Sequence, residues 1–314
     1  MKPCSRVGIN LTWACNLNCK PCFYRDFPEL HTATHKPLAE AKEEIDCAKA
    51  RGCTHVVGVG QGEPALYPHI NPLIEYCKTQ GLSSSIITNG TVGLEKYQSL
   101  YDSGIDHLHI SVHERGEKLD KIVEREGSGR RQLELLQWLS LNNKRFRTNT
   151  VIQQLNYERL PKIIRWCIGN GAFHVVLLNF LPHYYWCNKA QDVAVAPSKL
   201  RYYVEDSISE ALASGVLFTL RYFPFCHLSP EYWPFVSNAR YVLFDPWEWD
   251  YEKYHPDVAR VWPHAVQMGE SVALRGFPCN ECLARPHCGG WNADYAKAFN
   301  GANLVAITEV PEEY

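Results

Sequence analysis

The chain has 314 residues, which is enough for one large α/β domain and a smaller second one. Its net charge of -2 gives no electrostatic reason to expect nucleic acid or an anionic membrane as a partner. No apolar run is long enough to span a membrane, and no secretory signal precedes the first predicted strand. The 13 cysteines therefore favour metal or redox chemistry in the cytoplasm over disulfide bonds.

Short β-branched runs alternate with amphipathic helical segments over about the first 180 residues. The predicted strands are Val7–Trp13, His55–Val59, Ser84–Thr88, His107–Val112, Arg147–Ile152 and His174–Asn179. The predicted helices are Ala39–Arg51, Ile70–Gln80, Leu94–Ser103, Arg130–Asn143 and Glu158–Gly169. Short connections between such β-α units predict a parallel sheet with helices outside it.

Closed or nearly closed, this sheet is a partial (β/α)6 TIM-like barrel, with its active site at the carboxyl ends of the strands. An open doubly wound sheet is the alternative, and it requires no particular chemistry at those ends. After Pro182 the pattern breaks down into a helix, Ser198–Ala213, a strand, Val216–Tyr222, and an aromatic-rich stretch to Trp262. We therefore expect an α/β barrel domain, 1–185, and a small, irregular α+β C-terminal domain, 186–314.

Three cysteines follow the first predicted strand with the spacing Cys-x3-Cys-x2-Cys: Cys15, Cys19 and Cys22. Structural zinc takes four ligands in a closed site, and no fourth cysteine or histidine stands beside them. A [4Fe–4S] cluster ordinarily takes one thiolate on each of its four irons. Three thiolates on one loop therefore leave one iron open to another ligand.

This loop resembles the defining motif of the radical S-adenosylmethionine (SAM) superfamily. The resemblance implies that the three cysteines hold a [4Fe–4S] cluster whose open iron binds SAM. It implies further that reductive cleavage of SAM yields a 5′-deoxyadenosyl radical. Pro21 replaces the aromatic residue usual before the third cysteine, which leaves Phe23 or Tyr24 as candidates for the adenine contact.

The segment Gly62-Glu63-Pro64 after the second strand resembles the Gly-Glu-Pro segment of the same family, with Gln61 in place of a preceding glycine. A glycine lets the backbone approach a ligand closely. The resemblance implies that Gly62, Glu63 and Pro64 contact SAM. Polar residues at the ends of later strands are further candidates: Asn89, Ser111, His113, Gln153 and Asn179. Each is also explained as an ordinary polar residue at a strand end.

A second cluster, Cys279, Cys282 and Cys288 followed by Gly-Gly, resembles the auxiliary-cluster segment of SPASM and Twitch extensions. No cysteine follows Cys288, so the resemblance implies one auxiliary [4Fe–4S] cluster of the shorter Twitch type. Cys226 is the expected fourth ligand. Cys187 is the second candidate, and His287 is a third, although histidine is less usual as a ligand of such a cluster. A zinc knuckle completed by Cys226 is the structural alternative.

The resemblance implies an enzyme that removes a hydrogen atom from its substrate and receives electrons from a flavodoxin or ferredoxin. The auxiliary cluster accepts an electron or ligates the substrate, and complete cysteine ligation favours electron transfer. A peptide or protein is the leading substrate, as in ribosomal peptide maturation. The aromatic stretch with Asp245, Glu248, Asp250 and Glu252 is a candidate docking surface.

The barrel begins within ten residues of Met1, so we expect a separate protein to recognise a peptide's leader. A small metabolite such as a nucleotide or an aminosugar is the alternative substrate. A non-catalytic iron–sulfur redox protein is a more remote one, because it does not need an open iron. We expect neither a membrane nor a nucleic acid as a partner. No catalytic acid or base is assigned.

Overall fold

The computed structural model describes residues 6–22, 34–59, 62–180, 190–237, 273–274, 277–288, 290–292, 298–300 and 304–311. The strands are β1 Arg6–Asn10, β2 His55–Val59, β3 Ser83–Thr88, β4 His107–Ser111, β5 Phe146–Ile152, β6 His174–Asn179, β7 Leu217–Arg221, β8 Val236–Ser237, β9 Ala273–Leu274 and β10 Trp291–Asn292. The α-helices are α1 Leu38–Ala50, α2 Ile70–Thr79, α3 Leu94–Asp102, α4 Glu117–Val123, α5 Ser128–Leu141, α6 Leu160–Gly169, α7 Ala190–Val193, α8 Arg201–Ala213 and α9 Phe277–Asn280.

Strands β1 to β8 follow one another in chain order in one sheet, whereas β9 and β10 form a separate antiparallel pair. Parallel pairing joins β1 to β4 in sequence and likewise β6 to β8. Helices occupy most connections between these strands, as parallel pairing requires. The predicted α/β fold, a partial TIM-like (β/α) barrel, is confirmed.

Most predicted elements form within two residues of their expected bounds, but two differences concern the barrel. The expected strand Val216–Tyr222 forms as β7 and extends the barrel sheet. From its position in the sequence we expected it to belong to the irregular C-terminal region. Helix α8 packs against α6 and returns the chain so that β7 pairs in parallel with β6. Helix α4 was not predicted, because seven residues are too few to establish a helical period.

The described residues form two compact units. The first comprises the residues up to Thr148 together with Asn170–Ala172, and the second comprises Asn149–Gly169 and the residues from Phe173 onward. The domain boundary expected near residue 185 lies outside the described residues, as do Cys187 and the four acidic residues of the candidate docking surface. No helix in the described ranges is long and apolar enough to cross a membrane.

Each unit has its own apolar core. In the first unit the strands bury β-branched and aliphatic side chains, among them Val7, Ile9, Val57, Ile86 and Ile110. In the second unit β6, β7, α6 and α8 bury the corresponding set, among them Val175, Leu177, Leu220, Ile164 and Val204. Apolar burial on both sides of parallel strands fixes their register, and with it the positions of the strand ends where the candidate site lies.

Candidate active site

The loop that carries Cys15, Cys19 and Cys22 lies against the end of helix α4 in the first unit. The Asn18 and Lys20 amides donate to the carbonyls of Val123 and Ile122 at 3.2 and 2.8 Å. Leu17 packs with Leu119, Ile122 and Val123, and Cys15 and Cys19 contact the edge of this cluster. The loop is therefore held by backbone hydrogen bonds and apolar contacts together.

Helix α4 offers those carbonyls because it ends abruptly. Glu124 adopts a left-handed conformation with φ of 53°, which stops the helix at Val123. The carboxylate of Asp120 then accepts hydrogen bonds from the Gly127 and Gly129 amides at 2.8 and 2.7 Å. This capping of the α5 N-terminus fixes the turn between the helices, and the last carbonyls of α4 remain available to the cysteine loop.

The three thiols lie close enough to oppose one another's ionisation. Burial raises the pKa of Cys15 to about 12, with Glu63 and Cys22 adding to the shift. Burial also raises the pKa of Cys19 well above its usual value, and Cys22 and Cys15 add to it. Three neighbouring thiolates need positive charge to form, and a bound metal cluster supplies it. This donor set fits a [4Fe–4S] cluster with one iron left for another ligand.

Gly62 brings the end of β2 against the start of the cysteine loop. The Gly62 amide donates to the Thr12 carbonyl at 3.0 Å, and the Glu63 amide donates to the Ala14 carbonyl at 2.7 Å. A Cβ atom on Gly62 would lie 2.0 Å from the Ala14 carbonyl oxygen, so this contact requires glycine. Gly60 and Gln61 lie outside the described residues.

The carboxylate of Glu63 joins the ends of β2 and β3. It is 1% exposed and accepts hydrogen bonds from the amides of Ala65 at 3.0 Å and Asn89 at 2.7 Å and from the Thr88 hydroxyl at 2.5 Å. Burial raises its pKa to about 7, and these donors oppose the shift. These three donors fix the position of the Glu63 carboxylate, and Pro64 beside it begins a short 3-10 turn.

The remaining candidates of the first unit lie at the ends of β3 and β4. The Gln132 amide nitrogen, on α5, donates to the carbonyls of Asn89 at 2.8 Å and Ser111 at 3.0 Å. His113 is buried, and burial lowers its pKa to about 4, so its imidazole is neutral at neutral pH. Gln132 was not predicted, although a glutamine on the buried face of an amphipathic helix is a recognisable signal.

Gln153 and Asn179 end β5 and β6 in the second unit. They are 1% and 3% exposed, and the Nε2 of Gln153 and Nδ2 of Asn179 have no hydrogen-bond partner among the described residues. A buried amide donor without a partner is costly, so such groups fit a ligand that carries hydrogen-bond acceptors.

Four cysteines of the second unit line one pocket: Cys226, Cys279, Cys282 and Cys288. Apolar side chains, among them Leu304, Val305 and Ile307, form the rest of the wall together with Arg285. Burial raises the pKa of Cys226 to about 11, and the other three thiols add to the shift. The pocket thus gathers four thiols that were predicted from separate segments.

Backbone amides face the sulfur atoms of this pocket. The Ile307 amide donates to the Sγ of Cys282 at 3.4 Å, and the Gly290 amide donates to the Sγ of Cys288 at 3.4 Å. The amide of Val305 also hydrogen-bonds to Cys226. Such bonds stabilise thiolate over thiol, as metal ligation requires. The donor set fits a completely ligated [4Fe–4S] cluster and equally fits tetrahedral zinc.

Three histidines near the amino ends of β2 and β4 form a separate polar cluster, with nitrogen atoms within 4.8 Å of one another. The Arg147 guanidinium donates to the Nδ1 of His109 at 2.8 Å, so the His109 proton lies on Nε2, which donates to His107 at 2.9 Å. His55 pairs with the Ser85 hydroxyl at 2.7 Å. Because these bonds use the nitrogens and place a cation beside them, the cluster is a hydrogen-bond network and does not favour a metal ion.

The fold and the cysteine loop define a family. The model of the Radical SAM superfamily matches residues 9–167, and the chain belongs to this superfamily. It is 28% identical over 203 residues to a PqqA peptide cyclase of Methylocella silvestris, covering 62% of this chain and 52% of that protein. It is also 28% identical over 163 residues to the S-adenosylmethionine-dependent nucleotide dehydratase RSAD2 of Oncorhynchus mykiss, covering 49% of this chain and 45% of that protein.

Solved structures share the fold. SuiB of Streptococcus suis bound to the precursor peptide SuiA aligns with a TM-score of 0.57 at 20% identity, over 69% of this chain and 48% of that chain. Methylornithine synthase (PylB) aligns with a TM-score of 0.55 at 15% identity, over 69% of this chain and 64% of that chain. The chain thus spans about half the length of the relatives and of SuiB.

Proposed function

We propose that this chain is a radical SAM enzyme in which Cys15, Cys19 and Cys22 hold a [4Fe–4S] cluster with one iron left for SAM. The docked three-cysteine loop beside Gly62 and Glu63 carries this proposal. When bound, the cluster supplies the electron that cleaves SAM to a 5′-deoxyadenosyl radical, which takes a hydrogen atom from the substrate. The protein contributes position, burial and electrostatics to this chemistry.

Eight residues are proposed to contact SAM. They are Gly62, Glu63, Pro64, Asn89, Ser111, His113, Gln153 and Asn179. Burial keeps the His113 imidazole neutral, so one ring nitrogen can donate a hydrogen bond and the other can accept one. This combination suits a ribose hydroxyl. The buried amide donors of Gln153 and Asn179 suit acceptor atoms of SAM or of the substrate.

Iron content tests both clusters. The wild-type chain, reconstituted anaerobically, should hold about 8 irons, and the variant with Cys15, Cys19 and Cys22 all changed to Ala should hold about 4. Cys47→Ala is the matched control, because Cys47 is exposed on α1 and belongs to neither set of proposed ligands. A triple variant that keeps the full iron content contradicts the assignment of these ligands.

We assign the pocket of Cys226, Cys279, Cys282 and Cys288 to one auxiliary [4Fe–4S] cluster in a C-terminal domain, 186–314, beside a SAM domain, 1–185. Four thiolates leave no iron open, which supports a role in accepting an electron from the substrate and not in ligating it. A wild-type count near 4 irons with stoichiometric zinc would identify the pocket as a zinc site instead.

A peptide is the substrate class that the relatives support best. The matches include a PqqA peptide cyclase, and the fold is shared with SuiB, solved with its precursor peptide SuiA. With a peptide substrate we expect a separate leader-recognition protein. We also expect a flavodoxin or ferredoxin as reductant in a reducing, cytoplasmic compartment, since the proposed ligands must remain thiolates.

A nucleotide or another small metabolite is the second candidate, supported by matches to S-adenosylmethionine-dependent nucleotide dehydratases. Formation of 5′-deoxyadenosine separates the two candidates when reduced enzyme and SAM are mixed with host-cell extract divided by size. Stimulation by the large fraction alone supports the peptide substrate, and stimulation by the small-molecule fraction supports the metabolite. Absence of SAM cleavage under strong reduction in every mixture, with both clusters in place, contradicts the proposed enzyme.

A further inference from the structure

Three polar side chains beside Cys15 form a closed ring of hydrogen bonds. The Asn89 amide nitrogen Nδ2 donates to the Oδ1 of Asn16 at 2.8 Å, and the Nδ2 of Asn16 donates to the Thr91 hydroxyl at 3.0 Å. The Thr91 hydroxyl then donates to the Oδ1 of Asn89 at 2.7 Å, which closes the ring. The ring joins the cysteine loop to the turn that follows β3.

Each side chain of this ring donates to the next one, so the three hydrogen bonds run in the same direction around it. Rotating one side-chain amide by 180° would set two nitrogens or two oxygens against each other. Rotating both would break the bond that the Thr91 backbone amide donates to the Oδ1 of Asn89 at 2.8 Å, so the network fixes both orientations. Hydrogen bonds in such a chain polarise and strengthen one another, most of all where water is excluded. Thr91 is 1% exposed and Asn16 and Asn89 are half-buried, so the ring is partly shielded from solvent.

Further hydrogen bonds hold the backbone on both sides of Cys15. The preceding residue, Ala14, accepts from the Glu63 amide at 2.7 Å. The following residue, Asn16, accepts at its carbonyl from the Arg125 guanidinium at 2.6 Å. The ring is also connected to Glu63, because the backbone amide of Asn89 donates to the Glu63 carboxylate at 2.7 Å. Cys15 therefore lies between two anchored residues.

We propose that Asn16, Asn89 and Thr91 are positioning residues that set the location of the Cys15 thiolate, and through it the position of the cluster whose open iron meets SAM. The inference rests on the proposed function, in which Cys15 is a cluster ligand. It gives Asn89 a role through its side chain that does not require contact with SAM. It also gives roles to Asn16 and Thr91, which no motif marks.

Thr91→Val tests the ring, because valine keeps the shape of threonine and removes the hydroxyl. We expect wild-type iron content, a KM for SAM raised about tenfold in the 5′-deoxyadenosine assay, and a broadened spectrum of the reduced cluster in electron paramagnetic resonance. Thr91→Ser restores the hydroxyl and should bring both readouts back to within about twofold of wild type.

Asn16→Ala is the second variant, and Asn18→Ala is its matched control on the same loop. The Asn18 side chain is bound to exposed Glu124 at 2.8 Å outside the ring, so its loss should leave the KM and the spectrum unchanged. Wild-type SAM affinity and spectra in both Thr91→Val and Asn16→Ala overturn the inference. Full iron retention in Cys15→Ala overturns instead the proposed function on which it rests.

Discussion

Gly62 illustrates how a single residue type limits the site. Its amide bonds to Thr12, and the space where a side chain would begin is filled by the backbone of Trp13 and Ala14. The atoms in the way belong to the main chain, so no rotamer change relieves the contact. A glycine at this position therefore keeps the end of β2 and the cysteine loop in register.

Gly62→Ala should displace the cysteine loop and cost about 1–3 kcal/mol of unfolding free energy, because the backbone must move. We expect loss of the SAM-binding cluster, about 4 of 8 irons, with the auxiliary irons retained. Gly169→Ala is the control, since, beyond its own turn of helix, none of the described residues has an atom within 4 Å of the added Cβ, and its φ is not positive. Equal iron contents in the two variants would contradict this view of Gly62.

At the scale of elements, the histidine cluster on β2 and β4 is a buried network that must remain neutral. Burial lowers the pKa of His55 to about 4 and of His107 to about 3, and it lowers the pKa of His109 well below its usual value. Arg6, Arg145 and Arg147 face the cluster and add to these shifts, whereas Asp106 opposes the shift at His55. Protonation therefore favours the unfolded chain.

The sign of the resulting pH dependence follows from proton binding. Below the unfolded pKa of about 6.5 and above the lowered folded values, the unfolded chain binds more protons. Stability should therefore fall as the pH drops from about 6.5 towards 4, by an amount on the order of 1 kcal/mol per histidine near pH 5.

Anaerobic urea unfolding at pH 7.5, 6 and 5 measures this dependence. His107→Gln should have a lower free energy of unfolding than wild type at pH 7.5. On acidification this free energy should fall less than it does in wild type. His69→Gln, outside the cluster, should keep the wild-type slope. Parallel pH profiles for wild type and His107→Gln would exclude the network as the source of the acid sensitivity.

Periodicity and turn residues were sufficient to predict most elements of the barrel, because each strand and helix expresses its burial pattern locally. The spacing of Cys279, Cys282 and Cys288 predicted that these three thiols lie together, since ligand spacing is a local property, whereas Cys226 was expected only from the family resemblance, with Cys187 as the alternative. The ring of Asn16, Asn89 and Thr91 was not predictable, because Asn16 lies more than 70 residues from the other two and polar residues at turns are common. Helix α4 was missed because it is short and is held by its contacts with the loop.

At the scale of the whole molecule, two parts of the second unit differ in how they are held together. Its strands β6 and β7 and helices α6 and α8 share an apolar core, whereas the described residues from 273 onward form only short elements, and few of them are buried. Four thiols from two segments meet in this region. A cluster bound to them would contribute directly to its folding.

Limited proteolysis should therefore distinguish the reconstituted chain from the metal-free one. We expect cleavage after residue 273 to be rapid without metal and at least about tenfold slower with both clusters bound. Cys282→Ala should remain sensitive after reconstitution, whereas Cys47→Ala should be protected like wild type. Protection that does not depend on metal would show that this region folds without the auxiliary cluster.

The contacts of the cysteine loop also set an order for biosynthesis. Cys15, Cys19 and Cys22 leave the ribosome early, but the partners of the loop come from Glu63, Asn89, Thr91 and the end of α4. A nascent chain emerges from its N-terminus. Roughly a hundred residues after these cysteines must therefore be synthesised before all the partners of the loop are present. Delivery of the proposed cluster to this site is thus expected only after Arg125 has emerged and the loop has its partners.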